Sequence, residues 1–122
     1  GVRATCDTPR NLSDRQIRAI ADRDGVIGVG TWPTVVCSTE PAAIADAMRH
    51  VADLVGIEHV ALGSDFDGTV TPPFDASGLA VLTEALVNEG FNEREIRQIM
   101  SGNVVRLLRR TLPASATARP TS

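Results

Sequence analysis

The chain of 122 residues contains no lysine, so all 12 of its basic residues are arginine. This absence excludes Schiff-base chemistry, the lysine of a phosphate-binding loop and any other mechanism that needs an ammonium group. No apolar run approaches the roughly 18 residues of a membrane helix, so we expect no membrane segment. The arginines form no stripe and the net charge is -3, which argues against nucleic acid as a partner.

Cysteine is also scarce, because Cys6 and Cys37 are the only two. They are too few and too far apart for a cysteine metal site. Base rates favour two small buried thiols, and a disulfide is the alternative if the protein is exported. The sequence starts at Gly1 rather than Met, so we expect a fragment whose cellular location is open, with the cytoplasm favoured.

Apolar spacing predicts short strands that alternate with helices. Strands are predicted at 26–30 (VIGVG), as a run buried on two faces, and at 59–63 (HVALG), as a second short buried strand. A loop holding Trp32, Pro33 and Cys37 follows the first. Helices are predicted at 12–24, from Ser38 or Thr39 to Gly56, at 78–90, at 92–100 and from Asn103 onward. Residues 113–122 lack apolar periodicity and are expected to be a disordered tail.

Helix start signals support these predictions. Ser13 with Gln16, and Asn92 with Glu95, have the spacing of capping boxes, and Pro41 suits a first helical turn. Strand, helix and strand with short connections favour parallel pairing. Two strands alone leave both sheet edges open, so we expect an α/β chain that forms part of a larger sheet or barrel.

Two carboxylates follow the second predicted strand. Asp65 and Asp67 belong to the polar loop SDFDGTVTPP, at the strand end where α/β sheets and barrels place their sites. A partly desolvated carboxylate there can act as a general base or a metal ligand. The alternative is a loop whose aspartates only form a turn.

The string DFDGTV also resembles the opening motif of haloacid dehalogenase-like phosphatases. That chemistry needs a downstream lysine and a later acidic pair for magnesium. The absence of lysine therefore argues against this interpretation.

A wider match runs through CDTPRNLSDRQIRAIADRDGVIGV, HVADLVGIEHVALGSDFDG and LTEALVNEGFNEREIRQIMSGNVVRLLR, in that order. Together these segments resemble the C-terminal third of the membrane dipeptidase (renal dipeptidase) family of zinc peptidases, over residues 1–112. The resemblance implies a (β/α)8 barrel, of which this chain would supply the last two strand–helix units and the terminal helices. It also implies an enzyme that hydrolyses dipeptides.

Members of that family hold two zinc ions through a His-x-Asp pair, a bridging Glu and two further histidines. The resemblance places all of these ligands upstream of Gly1, so zinc is implied for the parent protein and no metal ligand is expected in this chain. His50 and His59 match no ligand position, and we interpret both as structural.

The resemblance assigns two functional residues to this chain. Arg10 would bind the terminal carboxylate of the dipeptide, a task that suits the guanidinium fork. Asp65 would contact substrate and pass a proton to the leaving amine, while Asp67 and Gly68 would support the loop. Without the resemblance, Arg10 is an exposed arginine and Asp67 is a turn former.

The resemblance also bears on the cysteines, since Cys6 and Cys37 fall near positions where exported animal members carry a cysteine pair. The leading hypothesis is a zinc dipeptidase fragment that is inactive alone. The alternative is a non-enzymatic module that binds a partner or forms a homo-oligomer through its open sheet edges.

Overall fold

The structure is a computed structural model that describes residues 1–114; residues 115–122 lie outside the described part. In chain order its elements are α1 (Asp14–Ala21), β1 (Ile27–Gly30), α2 (Pro33–Val36), α3 (Pro41–Val55), β2 (Val60–Gly63), α4 (Leu79–Asn88), α5 (Glu93–Arg97) and α6 (Asn103–Thr111). Short 3-10 turns occupy Ile57–His59 and Ala76–Gly78, and a π-helical turn, Gln98–Gly102, joins α5 to α6.

The two predicted capping boxes are confirmed. Gln16 N donates to the Ser13 hydroxyl, and Ser13 N donates to the Gln16 side chain at 2.9 Å, at the start of α1. Asn92 and Glu95 exchange the equivalent bonds at 2.9 and 3.0 Å before α5. Each box satisfies backbone donors that a helix start leaves unpaired. Local sequence alone therefore sets where these two helices begin.

Helix α3 packs one face into the core and begins one or two residues later than predicted. Its N-cap is Glu40 and not Ser38 or Thr39, and the Ser38 hydroxyl accepts a hydrogen bond from Glu40 N instead. Pro41 occupies the first turn, as expected. The helix ends at Gly56, whose φ of 110° suits glycine. The buried residues of α3 are Ile44, Ala45, Ala47, Met48 and Val51.

Strands β1 and β2 pair in parallel, with Ile27 opposite Val60 and Gly30 opposite Gly63. The parallel pairing predicted from the strand–helix–strand order is thus confirmed, and α3 lies within the crossover between the strands. Val60 and Ala61 of β2 are buried, as predicted for a buried strand. The prediction that β1 is buried on two faces is wrong for the described residues. Ile27 and Val29 are buried, but Gly28 between them is exposed, because nothing in residues 1–114 covers that position.

Two segments differ from prediction. Residues 33–36, predicted as loop, form the single helical turn α2, which starts at Pro33 and ends at Cys37 with a left-handed φ of 56°. His59, predicted as the first strand residue, belongs to the 3-10 turn, and β2 starts at Val60. Such one-turn features depend on packing between distant residues, and their periodicity is too short to detect.

The C-terminal helices pack against α3 and β2. Helix α4 lies against α3, where the Arg49 guanidinium stacks 3.6 Å from the centre of the Phe91 ring. The π-helical turn and α6 contact β2. Buried side chains from all these elements join one core that includes Ile17, Val29, Met48, Val60, Leu82, Leu86 and Ile99.

Helix α6 begins at Asn103, as predicted, and ends at Thr111. The predicted tail starts at Pro113, which with Ala114 has no regular structure; the rest of that prediction, residues 115–122, lies outside the described residues. None of the helices in residues 1–114 is long and apolar enough to cross a membrane.

Candidate active site

The carboxyl ends of β1 and β2 lie side by side and are tied together. The buried Thr31 follows β1 directly, and its hydroxyl donates a 3.0 Å hydrogen bond to the carbonyl of Ser64, which follows β2. Because Ser64 immediately precedes Asp65, this bond fixes where the second exit loop leaves the sheet. We refer to this end of the sheet as the mouth and to the opposite end as the base.

Asp65 begins a tight turn at the mouth. Its φ is 53°, in the left-handed region that aspartate tolerates better than most residues, and Gly68 N donates to the Asp65 carbonyl at 3.0 Å. A Cβ added at Gly68 would lie 2.9 Å from the carboxylate carbon of Asp65. Glycine at position 68 therefore leaves room for the Asp65 carboxylate.

Both carboxylates of this loop are exposed in the structure. The expected partial desolvation of Asp65 is therefore wrong for the described residues, because residues 1–114 cover only one side of the loop. Phe66 packs edge-on against Phe74, with 6.3 Å between ring centres, which fixes part of the loop. Asp67 lies between Phe66 and Gly68 in the sequence, and its supporting role in the loop stays a prediction.

Arg10 is exposed on the loop that precedes α1. Burial lowers the pKa of the Gly1 amino group, and the positive charge of Arg10 lowers it further. A free, exposed guanidinium on a mouth loop is chemically suited to binding a carboxylate.

Two contacts tie the Arg10 loop to the loop after β1. The first is a disulfide between Cys6 and Cys37, with 5.4 Å between their Cα atoms, so the interpretation of two buried thiols is wrong for this structure. The second is Asn11, which is 2% exposed and whose side-chain amide donates to the carbonyls of Cys6 at 2.8 Å and Val35 at 2.9 Å. Val35 belongs to α2, directly after the β1 exit.

These contacts connect the two predicted site residues. Asn11 joins the Arg10 loop to α2, and Thr31 joins the β1 exit to the residue before Asp65. A cavity of about 260 Å³ lies between the two exit loops, lined by Trp32, Pro33, Thr34, Thr69, Val70 and Thr71. A larger concavity of about 690 Å³ lies along Asn92–Gly102, away from both strand exits. The mouth is the better candidate site because the candidate carboxylate and guanidinium are both there.

The residues described here do not fit a metal site of their own. No group of three or more His, Cys, Asp or Glu side chains within residues 1–114 is placed to hold a metal ion. His50 contacts the Asp14 carboxylate at 2.8 Å, and His59 contacts the Gly25 carbonyl at 2.7 Å. His59 is at the base and His50 is in the middle of α3, so neither faces the mouth loops. Their contacts agree with a structural role.

Sequence reasoning missed Asn11 and Thr31. Asn11 is adjacent to Arg10, but its acceptor Val35 is 24 residues away, so no local pattern reveals the contact. Thr31 follows a strand, and its bond crosses 33 residues to the second strand exit. The available signal was weak: Asn11 follows the charged Arg10, and Thr31 is a single polar residue between Gly30 and Trp32.

Comparison with known proteins supports the resemblance along nearly the whole chain. Residues 1–121 match the membrane dipeptidase family, peptidase family M19. An uncharacterized protein encoded 5' of pqqA in Klebsiella pneumoniae is 34% identical over 115 residues, which cover 87% of this chain and 42% of that protein. Dipeptidase aclJ of Aspergillus oryzae is 32% identical, over 86% of this chain and 27% of its own length. The chain thus spans less than half of either relative.

Solved structures of metallopeptidases are also similar to this chain. A metallopeptidase from Rhodobacter sphaeroides, solved with a phosphinate mimic of the dipeptide L-Ala-D-Ala, superposes with a TM-score of 0.82 and 31% identity. The aligned region covers 89% of this chain and 34% of that one. The M19 dipeptidase AC gives a TM-score of 0.82 and 30% identity, over 92% of this chain and 35% of its own. With a family match over residues 1–121, this chain belongs to the membrane dipeptidase family of metallopeptidases.

Proposed function

We propose that this chain forms the C-terminal part of the (β/α)8 barrel of a zinc-dependent dipeptidase, which hydrolyses dipeptides to free amino acids. The observation that carries the proposal is the continuous connection from the Arg10 loop, through Asn11 and Thr31, to the loop that holds Asp65. This connection supports the proposal, because both loops lie at the carboxyl ends of the strands, and barrel enzymes bind substrate at that end.

Arg10 binds the C-terminal carboxylate of the dipeptide in this proposal. The guanidinium fork donates two parallel hydrogen bonds to a carboxylate, which orients the substrate as well as holding it. Arg10 is exposed and so is free to meet a ligand. The Rhodobacter sphaeroides relative, 31% identical, binds a mimic of a dipeptide with such a free carboxylate, which supports the same substrate class here.

Asp65 moves the proton. An ionised carboxylate can accept a proton from the attacking water and give it to the amine that leaves when the peptide bond breaks. Gly68 leaves room for this carboxylate, and the left-handed turn at Asp65 sets the direction in which it leaves the strand. Asp67 completes the turn.

The metal ligands lie outside this chain in our proposal, because residues 1–114 contain no fitting cluster. When bound, zinc supplies activation of water and stabilisation of the negative charge that develops on the peptide oxygen. The isolated chain is therefore expected to bind no zinc tightly and to hydrolyse nothing. Calorimetric zinc titration of the 122-residue chain, with a dipeptide hydrolysis assay, tests this; stoichiometric zinc together with turnover would contradict it.

The substrate assignment is tested in a complete enzyme that carries this sequence. Arg10→Ala should raise KM for a dipeptide by about 10- to 100-fold, since a charge-assisted bidentate contact is lost, and should leave KM for the corresponding dipeptide amide nearly unchanged. Arg109→Ala is the matched control, because Arg109 is an exposed arginine on α6. Equal effects of Arg10→Ala on both substrates would contradict carboxylate binding.

A second candidate is a non-enzymatic module that self-associates. It is favoured by the exposed apolar side chains of α4 and α6 and by a parallel sheet of only two strands in the described residues. Sedimentation of the isolated chain separates the outcomes. A defined oligomer that forms without other parts of a barrel supports the module, and a monodisperse monomer contradicts it.

A further inference from the structure

Asn11 occupies an unusual position for a polar side chain. It is 2% exposed, and its amide nitrogen uses both hydrogens, one on the Cys6 carbonyl at 2.8 Å and one on the Val35 carbonyl at 2.9 Å. Buried carbonyl groups without a donor are costly, so this side chain holds the two backbone segments at a fixed separation. One segment carries Arg10, and the other begins at the exit of β1.

The attachment of the Arg10 loop depends on few contacts of this kind. Leu12 N donates to the Gly1 carbonyl and Arg3 N donates to the Leu12 carbonyl, but these bonds close the loop on itself. The Asn11 bond to Val35 and the Cys6–Cys37 disulfide cross to the β1 exit, and the buried Val2 side chain adds apolar packing in the core that it shares with Val35. The disulfide joins Cys6, at the start of the loop, whereas Asn11 is adjacent to Arg10.

We infer that Asn11 is a positioning residue, which sets the place of the Arg10 guanidinium relative to the mouth by bridging the Cys6 and Val35 carbonyls. The inference rests on the proposed role of Arg10 in binding the dipeptide carboxylate. The disulfide keeps the loop attached, while the amide of Asn11 fixes its distance from the sheet. Small displacements of a group that binds substrate weaken binding steeply, so loss of the amide reaches the substrate through Arg10.

Asn103 provides a matched control. Its side chain is 1% exposed and also bridges two carbonyls, those of Ile57 at 2.8 Å and Val60 at 2.7 Å, but at the base of the sheet. The same substitution at either asparagine removes the donor to two backbone carbonyls, and at Asn103 it also removes the oxygen that accepts a 3.2 Å hydrogen bond from Arg106. Serine retains one donor and is small, so Asn11→Ser and Asn103→Ser are milder than alanine variants and favour folding.

The experiment uses the complete enzyme carrying this sequence, with a dipeptide and its amide as substrates. Asn11→Ser should raise KM for the dipeptide about tenfold, with kcat and KM for the amide within about twofold of the parent. Asn103→Ser should lower stability but leave both KM values unchanged. In an Arg10→Ala background, Asn11→Ser should add no further increase, because the contact that it positions is already gone.

Hydrogen exchange of the amides of residues 7–12 gives a second measurement that needs no activity. Asn11→Ser should speed their exchange about tenfold, while Asn103→Ser leaves it unchanged. Suppose that the parent enzyme hydrolyses the dipeptide. The inference is wrong if Asn11→Ser changes KM equally for both substrates, or if it raises KM further in the Arg10→Ala background. If the parent enzyme hydrolyses no dipeptide, the proposed function is wrong, and faster exchange then shows a purely structural tie.

Discussion

The two ends of the short parallel sheet use polar side chains differently. At the base, Asn103 bridges the Ile57 and Val60 carbonyls, His59 contacts the Gly25 carbonyl, and Arg106 donates to the Glu58 carbonyl at 2.8 Å. Arg110 also pairs with Asp24 there. At the mouth, Thr31 and Asn11 join the loops, while Arg10, Asp65 and Asp67 remain exposed.

This difference separates groups that hold the fold from groups that are free to react. At the base, Asn103, His59 and Arg106 contact backbone carbonyls, and Arg110 pairs with Asp24, which contributes to stability. The mouth fixes its backbone with two buried side chains and leaves charged groups uncovered. Charged side chains at the mouth should therefore affect activity far more than stability, and buried polar side chains at the base should do the opposite.

The largest effect is expected from Asp65→Asn in the complete enzyme. Asparagine tolerates the left-handed backbone at this position, so the turn should persist, but the amide cannot accept a proton as the carboxylate does. We expect kcat to fall about 10²- to 10⁴-fold. The amount of bound zinc and the stability to unfolding should stay nearly unchanged. Steady-state kinetics, metal analysis and thermal unfolding measure the three quantities.

Asp67→Asn is the control for that variant, since Asp67 is also exposed and lies two residues further along the same loop. Its effect on kcat should be much smaller, because we assign it no proton transfer. Near-normal turnover of Asp65→Asn would remove Asp65 from the mechanism.

The next effect is expected at the base, where Asn103→Ala leaves two carbonyls without their donor. Loss of a donor to a buried acceptor costs about 1–3 kcal/mol, so with two carbonyls affected the free energy of unfolding should fall by roughly 2–6 kcal/mol. KM should stay unchanged, because Asn103 contacts Ile57 and Val60 at the opposite end of the sheet from the loop that holds Asp65. Urea unfolding and steady-state kinetics of the same variant check both statements, and a raised KM would break the separation between base and mouth.

The sequence predicts those features of the fold that depend on neighbouring residues. Both capping boxes, the first turn at Pro41 and the start of α6 at Asn103 follow from residues within one helical turn. The parallel pairing follows from element order. The turn α2 and the 3-10 turn before β2 were missed because packing between distant segments, and not local preference, stabilises them.

The site is less readable from sequence than the fold. The resemblance selects Arg10 and Asp65, and their roles stay predictions. The contacts that connect them, at Asn11 and Thr31, cross 24 and 33 residues. The exposure of Asp65 could not be predicted either, since it depends on which other segments cover the loop. The spacing of residues in the sequence indicates which reactive side chains lie at strand ends. It does not reveal which buried side chain fixes a loop through a long-range hydrogen bond.

The smallest effect is expected at Asp75, which ends the loop after β2 and caps the 3-10 turn Ala76–Gly78. Hydrogen bonds from the Ser77 side chain and backbone hold the pKa of the Asp75 carboxyl below its ordinary value of 3.8. Ser77→Ala should therefore raise this pKa, as measured by NMR titration. A depressed pKa stabilises the fold above pH 3.8, and the contribution is lost as the pH falls through the folded value. Because Asp75 is fully exposed, solvent screens the interaction, and Ser77→Ala should barely change unfolding at neutral pH. A large loss of stability in Ser77→Ala at neutral pH would show that the mouth loops also stabilise the fold. That result would contradict the separation of roles between the mouth and the base, where Asn103 lies.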